Sequence, residues 1–272
     1  MTPSEPIELL RVVDLETTGN SFTDGGVVEI GWQDLRRDRT GRWQLSGEPR
    51  AQLVRPGHPI SSSTAAIHHI VDEDVADAPS WLEVAPAILE GRDADSGRLV
   101  ALAAHRAAFE QRWCAGVAPR GIPWICTYKG ALRVWPDEPG HSNQGLRYSR
   151  RPSGLDREKG LPAHRAGPDA YVTAHHLRDM LEAAPLEDLV EWSGEPALLV
   201  KMPFGPLRGR RFRDLDEDAL GSLMRTDGHR ATDIGFTVRQ EMLRRGLGNA
   251  TAAEAAGARD GGQAELGLRP GA

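Results

Sequence analysis

The chain has 272 residues, 39% of them hydrophobic and 26% charged, with a formal net charge of −6. That length buries a substantial core in one or two domains, and the composition is that of an ordinary globular protein. No run of about 18 apolar residues offers a membrane span and no secretory leader stands at the start; with only Cys114 and Cys126 for thiols, a cytoplasmic protein without a disulfide framework is expected.

Leu9–Leu15 is short, apolar and partly β-branched, and reads as a buried strand. Gly25-Gly26 marks a turn, Val27–Gly31 begins a second strand, and Trp43–Val54 makes a third that stops at Arg55-Pro56-Gly57. Helices are expected over Ser61–Ile70 and over Pro79–Leu89, where Trp81, Val84, Ala85 and Ile88 keep helical spacing. Leu99–Ala104 reads as a strand, and a helix begins in Phe109–Cys114. Ile125–Trp135 has helical spacing, whereas Asp137–Pro162, rich in Gly, Ser, Pro and Arg, reads largely as loop. Asp169–Ala183 is a strong helix with Val172, His176, Met180 and Ala183 along one stripe. Strands alternating with helices indicate an α/β domain over 1–184, followed by a linker helix at 185–196. Residues 197–248 form a small α+β module with an apolar strand-like start and a helix at Phe236–Arg245. The Ala- and Gly-rich tail, 249–272, has no periodicity and is expected to be disordered.

Chemistry concentrates in three places. Val12-Val13 runs into Asp14-Leu15-Glu16, and alternation along a strand puts both carboxylates on one face. Two such acids side by side repel unless a cation lies between them, and hard oxygen ligands suit Mg²⁺ or Mn²⁺. Thr17-Thr18-Gly19 adds hydroxyls, backbone N–H groups and a permissive glycine that lets a nucleotide approach. Taken alone, Asp14 and Glu16 equally suit a solvated strand end. A second cluster is His105-Arg106-Ala107-Ala108-Phe109-Glu110, after another apolar run. The third is His164-Arg165-Ala166-Gly167-Pro168-Asp169. Asp169 also suits a helix N-terminus, and His164, in a Gly/Pro-bounded loop near water, carries an imidazole that can take a proton from water.

In combination these stretches resemble the DEDDh 3′–5′ exonucleases, a family that includes the proofreading epsilon subunits and exonuclease X-like proteins. Residues 12–19 match the first motif of that family and His164–Asp169 the third, His-x-Ala-x-x-Asp. Ala104–Glu110 is similar to the second, normally Ala-His-Asn-x-x-Phe-Asp. Ile67–Val75, Ile125–Tyr128 and Asn143–Leu146 look familiar as connecting stretches. The resemblance covers roughly residues 8–184 and implies an RNase H-like mixed five-stranded sheet flanked by helices. It further implies two Mg²⁺ (or Mn²⁺) ions held by Asp14, Glu16, Glu110 and Asp169, with His164 as the base. Water would attack the terminal phosphodiester in line. Asp14, Glu16 and Asp169 would hold the metal that binds this water, and Asp14 with Glu110 the metal that steadies the leaving 3′ oxygen. Thr17, Thr18, Gly19, His105 and Phe109 are the implied substrate contacts, with Phe109 expected to pack under the site rather than to stack on a base.

Two departures stand out. Glu110 is one methylene longer than the usual aspartate, and Arg106 replaces the usual asparagine. Both keep open a weakened nuclease domain that binds nucleic acid or a polymerase without cutting. The partner class is nucleic acid with a free 3′ end, DNA preferred over RNA in a repair or end-processing role; an RNA-directed enzyme of the same fold is the second reading. In the small module, Lys201–Phe212 is basic and glycine-punctuated, similar to a module that follows the nuclease domain in exonuclease X-like proteins. Arg208, Arg210 and Arg211 suit phosphate contact, and Phe204 or Phe212 suits either a stacked base or the module's core. Residues 147–165, with Arg147, Arg150, Arg151, Arg157, Lys159 and Arg165, are a second basic segment; any one such run equally makes a solvated face.

Overall fold

The structure is a computed structural model that describes residues 7–19, 23–91, 97–228 and 232–247. The chain divides into two compact units between Glu195 and Pro196.

The first unit is built on one mixed sheet. Its strands are β1 (Glu8–Thr17), β2 (Val27–Arg37), β3 (Trp43–Leu53), β4 (Arg98–Ala104) and β5 (Trp124–Cys126), in the order β3-β2-β1-β4-β5. β1, β2 and β3 pair antiparallel, whereas β4 and β5 extend the sheet in parallel from β1. This is the mixed five-stranded sheet implied by the resemblance. Central β1 is buried on both faces, which is why it reads as a continuous apolar run rather than an alternating one. Leu10 and Val12 face one layer with Ala174, Leu177 and Met180; Val13 and Leu15 face the other with Ile88, Leu89 and Trp113.

Helices α1 (Ser62–His68), α2 (Asp72–Val75), α3 (Trp81–Leu89) and α4 (Ala108–Trp113) come from the first two-thirds of this unit. Helix α1 is capped by Ser61, whose hydroxyl accepts from the Thr64 N–H at 3.2 Å. After β5 come α5 (Thr127–Val134), α6 (Asn143–Arg150), α7 (Ala166–Ala183) and α8 (Leu186–Gly194). Helix α7 lies across β1, β2 and β3 and is the principal helix of its layer.

Three expectations need correction and one needs refinement. Residues 125–135 are not one helix: Trp124–Cys126 extends the sheet beside β4 before the chain turns helical. The segment 137–162 is largely loop as expected, but it also holds helix α6, which Ser142 caps by accepting from the Gly145 N–H at 3.1 Å. Helix α8 is no linker but part of the first unit. Ser193 Oγ accepts from the Cys126 N–H at 2.7 Å, and Lys129 Nζ donates to the carbonyls of Ser193 and Glu195 at 2.8 and 2.5 Å.

The last correction concerns the second unit, which contains no strand among its described residues. A 3₁₀ turn (Phe212–Asp214), α9 (Glu217–Thr226) and α10 (Asp233–Arg244) pack around Met202, Phe212, Leu215, Leu220, Ile234 and Val238. A single isolated bridge, Lys201 to Arg211, is all that its strand-like start makes, because Gly and Pro close a tight turn between them. Asp216 and Thr232 cap the two helices by accepting from the Ala219 and Gly235 N–H groups at 2.8 and 3.1 Å. The tail from Asn249 lies outside the described residues. Both cysteines are free and buried. No helix among the described residues is long and apolar enough to cross a membrane.

One buried charge fastens this layer. Arg11 on β1 is fully buried and donates to both oxygens of Asp34 on β2, Nε to Oδ1 at 2.7 Å and Nη2 to Oδ2 at 2.8 Å, and its Nη1 donates to the Ile88 carbonyl. Removing one member of such a pair strands the other charge in the core. Arg11→Met is expected to cost about 3–5 kcal/mol in urea unfolding. The double change Arg11→Met with Asp34→Leu should recover most of that loss; equal losses in both would show that the pair contributes more than mutual neutralisation.

Candidate functional site

At the C-terminal end of β1 the face that carries Leu10 and Val12 switches from apolar to acidic at Asp14 and Glu16. Beside them β2 runs antiparallel, pairing Asp14 with Gly31 and Glu16 with Glu29. Gly31 has a structural purpose that no motif announces. A Cβ at that position would lie 2.0–2.2 Å from the backbone of Ala166 and Gly167, so the bare glycine lets the first turn of α7 rest directly on the sheet. That close approach carries Asp169 to Asp14 and Glu16. Ligating oxygens of Asp14, Glu16 and Asp169 all lie within 4.8 Å of one another.

Two of the acids, Asp169 and Glu29, are held by their surroundings. Asp169 Oδ1 accepts from Gln144 Nε2 at 2.5 Å and from Asn143 Nδ2 at 3.3 Å, and Oδ2 accepts from the His164 backbone N–H at 2.7 Å. Glu29 is buried and accepts from Arg165 Nε at 3.0 Å, Arg165 Nη2 at 2.5 Å and the Ala166 N–H at 2.9 Å. It thereby ties the segment carrying His164 to β2. His164 itself adopts a left-handed φ of 60° and is exposed, and its imidazole has no hydrogen-bond partner among the described residues.

The electrostatics are those of crowded anions that Arg165 and a few hydrogen bonds compensate only in part. Burial first, then the carboxylates of Asp169, Glu110, Glu16 and Glu29, hold Asp14 well above the ordinary range. Glu16 is pushed up to about 8 by burial, Asp169 and Glu29, with Arg165 pulling the other way. Burial also raises Asp169, opposed by its hydrogen bonds. Glu110 on α4 is 4% exposed and pushed up to about 8, chiefly by burial and further by Glu16. It stands outside the group of three, yet its Oε2 is buried with no partner among the described residues. Four carboxylates with one orphaned buried oxygen form a donor set that fits a divalent cation with hard-ligand preferences.

The expected substrate contacts fare differently. His105 is corrected: its Nδ1 is hydrogen-bonded to Thr127 Oγ1 at 3.0 Å and its Nε2 to the His141 carbonyl at 2.9 Å, leaving no ring nitrogen for substrate. Burial pushes it down to about 3, so the ring is neutral and structural. Phe109 packs edge-on against Trp113 at 6.3 Å and belongs to the core below the site. Thr17 is buried and donates to the Gly19 carbonyl at 2.8 Å. Thr18 Oγ1 accepts from the Gly26 N–H at 3.0 Å and keeps its own proton for another partner. Gly19 has open space where a side chain would stand. In the second unit Arg208 and Arg210 are exposed, Arg211 is half-buried, and of the two phenylalanines Phe212 is core.

Arg106, where the family pattern has asparagine, takes a left-handed φ of 67°, a conformation that asparagine tolerates better than most side chains. Its guanidinium stacks on Tyr128, 4.1 Å from the ring centre, which offsets part of that strain.

The sequence profile of the exonuclease (RNase T) family matches residues 12–177. Exodeoxyribonuclease 10 of Escherichia coli (strain K12) is 35% identical over 222 residues, covering 79% of this chain and 89% of that protein. Such coverage is longer than the first unit, so the likeness runs on into the second. Among solved structures, exonuclease X in complex with 5′ overhanging duplex DNA is 33% identical, covering 68% of this chain and 99% of its own at a TM-score of 0.53. The nuclease domain of 3′hExo, a DEDDh family member bound to rAMP, shares the fold at 16% identity and a TM-score of 0.50, covering 65% and 94%. With the profile spanning the acids of β1, α4 and α7 alike, the chain belongs to the exonuclease family.

Proposed function

We propose that this protein is a divalent-metal-dependent 3′–5′ exodeoxyribonuclease that removes nucleotides from DNA 3′ ends in repair or end processing. The observation that carries this reading is the convergence of Asp14, Glu16 and Asp169 within 4.8 Å, drawn from two elements that the close contact at Gly31 lets approach. Likeness to an exodeoxyribonuclease over most of both chains supports DNA over RNA.

Asp14, Glu16 and Asp169, with Glu110 beside them, are the residues to hold two Mg²⁺ or Mn²⁺ ions. Bound there, the ions supply Lewis-acid stabilisation of the phosphodiester and lower the pKa of water. His164 takes a proton from the attacking water on a ring nitrogen that no described residue occupies. Water adds to phosphorus, the bond from phosphorus to the 3′ oxygen breaks, and a nucleoside 5′-monophosphate departs while the 3′ oxygen of the shortened strand takes a proton from solvent to become the new 3′ hydroxyl. Gln144 and Asn143 keep Asp169 in one orientation, and Glu29 through Arg165 keeps His164 beside it. Thr18 and the backbone at Gly19 seat the terminal nucleotide.

A test of the acid set is Glu110. Glu110→Ala is expected to lower the hydrolysis rate by about 10²-fold or more, because a charge facing the metals is lost. Glu110→Asp keeps the charge and should retain most of the activity. Equal loss in both, on single-stranded DNA with Mg²⁺ or Mn²⁺, would mean that Glu110 acts by filling space. Comparing DNA with RNA of the same sequence decides the substrate: a rate on RNA equal to or above that on DNA would contradict the DNA reading.

A further inference from the structure

Residues 201–211 of the second unit form a closed, pre-organised turn. The Met202 N–H donates to the Arg210 carbonyl and the Gly209 N–H to that of Met202, both at 2.9 Å. Inside that ring the Arg208 N–H reaches the Gly205 carbonyl at 3.1 Å and the Arg210 N–H reaches that of Leu207 at 3.0 Å. Gly205 and Gly209 take left-handed φ values of 74° and 82°, which the two reversals require. The base of the turn is anchored in the core by Met202 and Phe212, 6% and 3% exposed. The tip therefore keeps its shape without contributing its own aromatic ring to the core.

That ring, Phe204, is 64% exposed. Around it, residues 201–213 carry Lys201, Arg208, Arg210, Arg211 and Arg213 and no acid, on a chain whose net charge is −6. Lys201 and Arg208 are exposed and make no ion pair or side-chain hydrogen bond among the described residues, and Arg210 has a long 3.4 Å contact with the Asp214 carbonyl. An apolar protein partner would cover the ring at the cost of desolvating these cations. Single-stranded nucleic acid satisfies both, since a base offers a π face to the ring and its phosphates offer charge to the cations. A duplex offers the phosphates but no free base face.

We infer that this turn is a single-strand nucleic-acid grip, with Phe204 stacking on a base and Lys201, Arg208 and Arg210 meeting the flanking phosphates. The inference rests on the reading of the chain as a nuclease and adds a binding element in the second unit.

The test uses full-length Asp14→Asn protein, which holds substrate uncut, and a fluorescent single-stranded 20-mer (a length of about 20 nucleotides exceeds one ~4–16-nucleotide site). Adding Phe204→Ala is expected to weaken binding at least about five-fold, as loss of one stacked base does. Thermal melting should be unchanged, because the ring is outside the core. Adding Lys201→Ala and Arg208→Ala should reduce the salt slope of binding by about 0.7 for each cation removed, a readout that a purely structural role would not move. Unchanged affinity and unchanged slope in both variants would overturn the inference and leave the turn to a protein partner. If wild-type protein left the oligonucleotide whole with Mg²⁺ while the Phe204 effect on binding remained, the hydrolytic reading would fall and the grip would stand.

Discussion

Asp14→Asn should reduce hydrolysis by at least about 10⁴-fold and at the same time make the metal-free protein more stable. The first effect exceeds the roughly 10²–10⁴-fold cost typical of losing a general base, because Asp14 lies among all the other acids. The second follows from crowding. Asp14, Glu16 and Glu110 are each held above the ordinary carboxylate range by burial and by neighbouring acids. For a group raised in this way, the folded state binds protons that the unfolded chain has released, so stability is lost as pH rises toward the folded value. For Glu16 and Glu110 the window runs from the ordinary 4.5 to about 8.

Buried histidines have the opposite sign but titrate lower: His105 is pushed down to about 3, and His175 and His176 to about 4. Above pH 7 they are mostly neutral in folded and unfolded chains alike, so between pH 7 and about 8.5 the acids decide. Without metal, the wild-type Tm should fall across that interval. With Mg²⁺ or Mn²⁺ the fall should flatten, because binding to the folded state alone stabilises it. Asp14→Asn should flatten it without metal, with a Tm higher by a few degrees (roughly 2–4 °C per kcal/mol for a unit of this size). An inactive variant that melted lower would point instead to a folding defect, and the account of the cluster would be wrong.

The second large effect concerns a residue with no chemistry of its own. Gly31→Ala adds one methyl where the backbone of Ala166 and Gly167 already stands. Neither the sheet nor the helix start can give way as a flexible side chain would, so overpacking should cost about 1–3 kcal/mol or more. Activity should fall more steeply than stability implies. His164 and Asp169 flank the displaced turn, and a shift of about 1 Å in reacting groups can cost 10²-fold. Gly140→Ala, where a Cβ meets nothing within 4 Å, is the control and should change neither quantity. Normal activity in Gly31→Ala would show that α7 can move without disturbing the site.

The placement of the acids was legible only in part, since Glu110 and Asp169 enter the set through the family resemblance. Strand alternation alone puts Asp14 and Glu16 on one face, and a five-residue spacing puts His164 and Asp169 at the same helix start. What the sequence does not show depends on distant pairing. Glu29 looks like any strand residue until the sheet sets it opposite Glu16 and α7 brings Arg165 to it across 136 positions. Gly31 gives no periodic signal, since only a backbone from elsewhere explains it. His105 sits within a recognisable motif, but its two hydrogen bonds run to Thr127 and His141, beyond any spacing rule. Helix α6 was hidden by composition, although Ser142 ahead of Asn143-Gln144 is an N-cap signal that could have exposed it. Phe204 and Phe212 are chemically equal in the sequence, and only the closed turn separates an exposed ring from a core one.

The most direct measurement follows a 5′-labelled single-stranded DNA oligonucleotide with wild-type protein, first in chelator and then with Mg²⁺ or Mn²⁺. The label stays with the shortening strand only if nucleotides leave from the 3′ end. A ladder of progressively shorter labelled products that appears with metal, is absent in chelator and is lost in Asp14→Asn is the expected result. Immediate release of labelled mononucleotide, or a ladder that persists in chelator or in Asp14→Asn, would contradict metal-dependent 3′–5′ hydrolysis at this cluster.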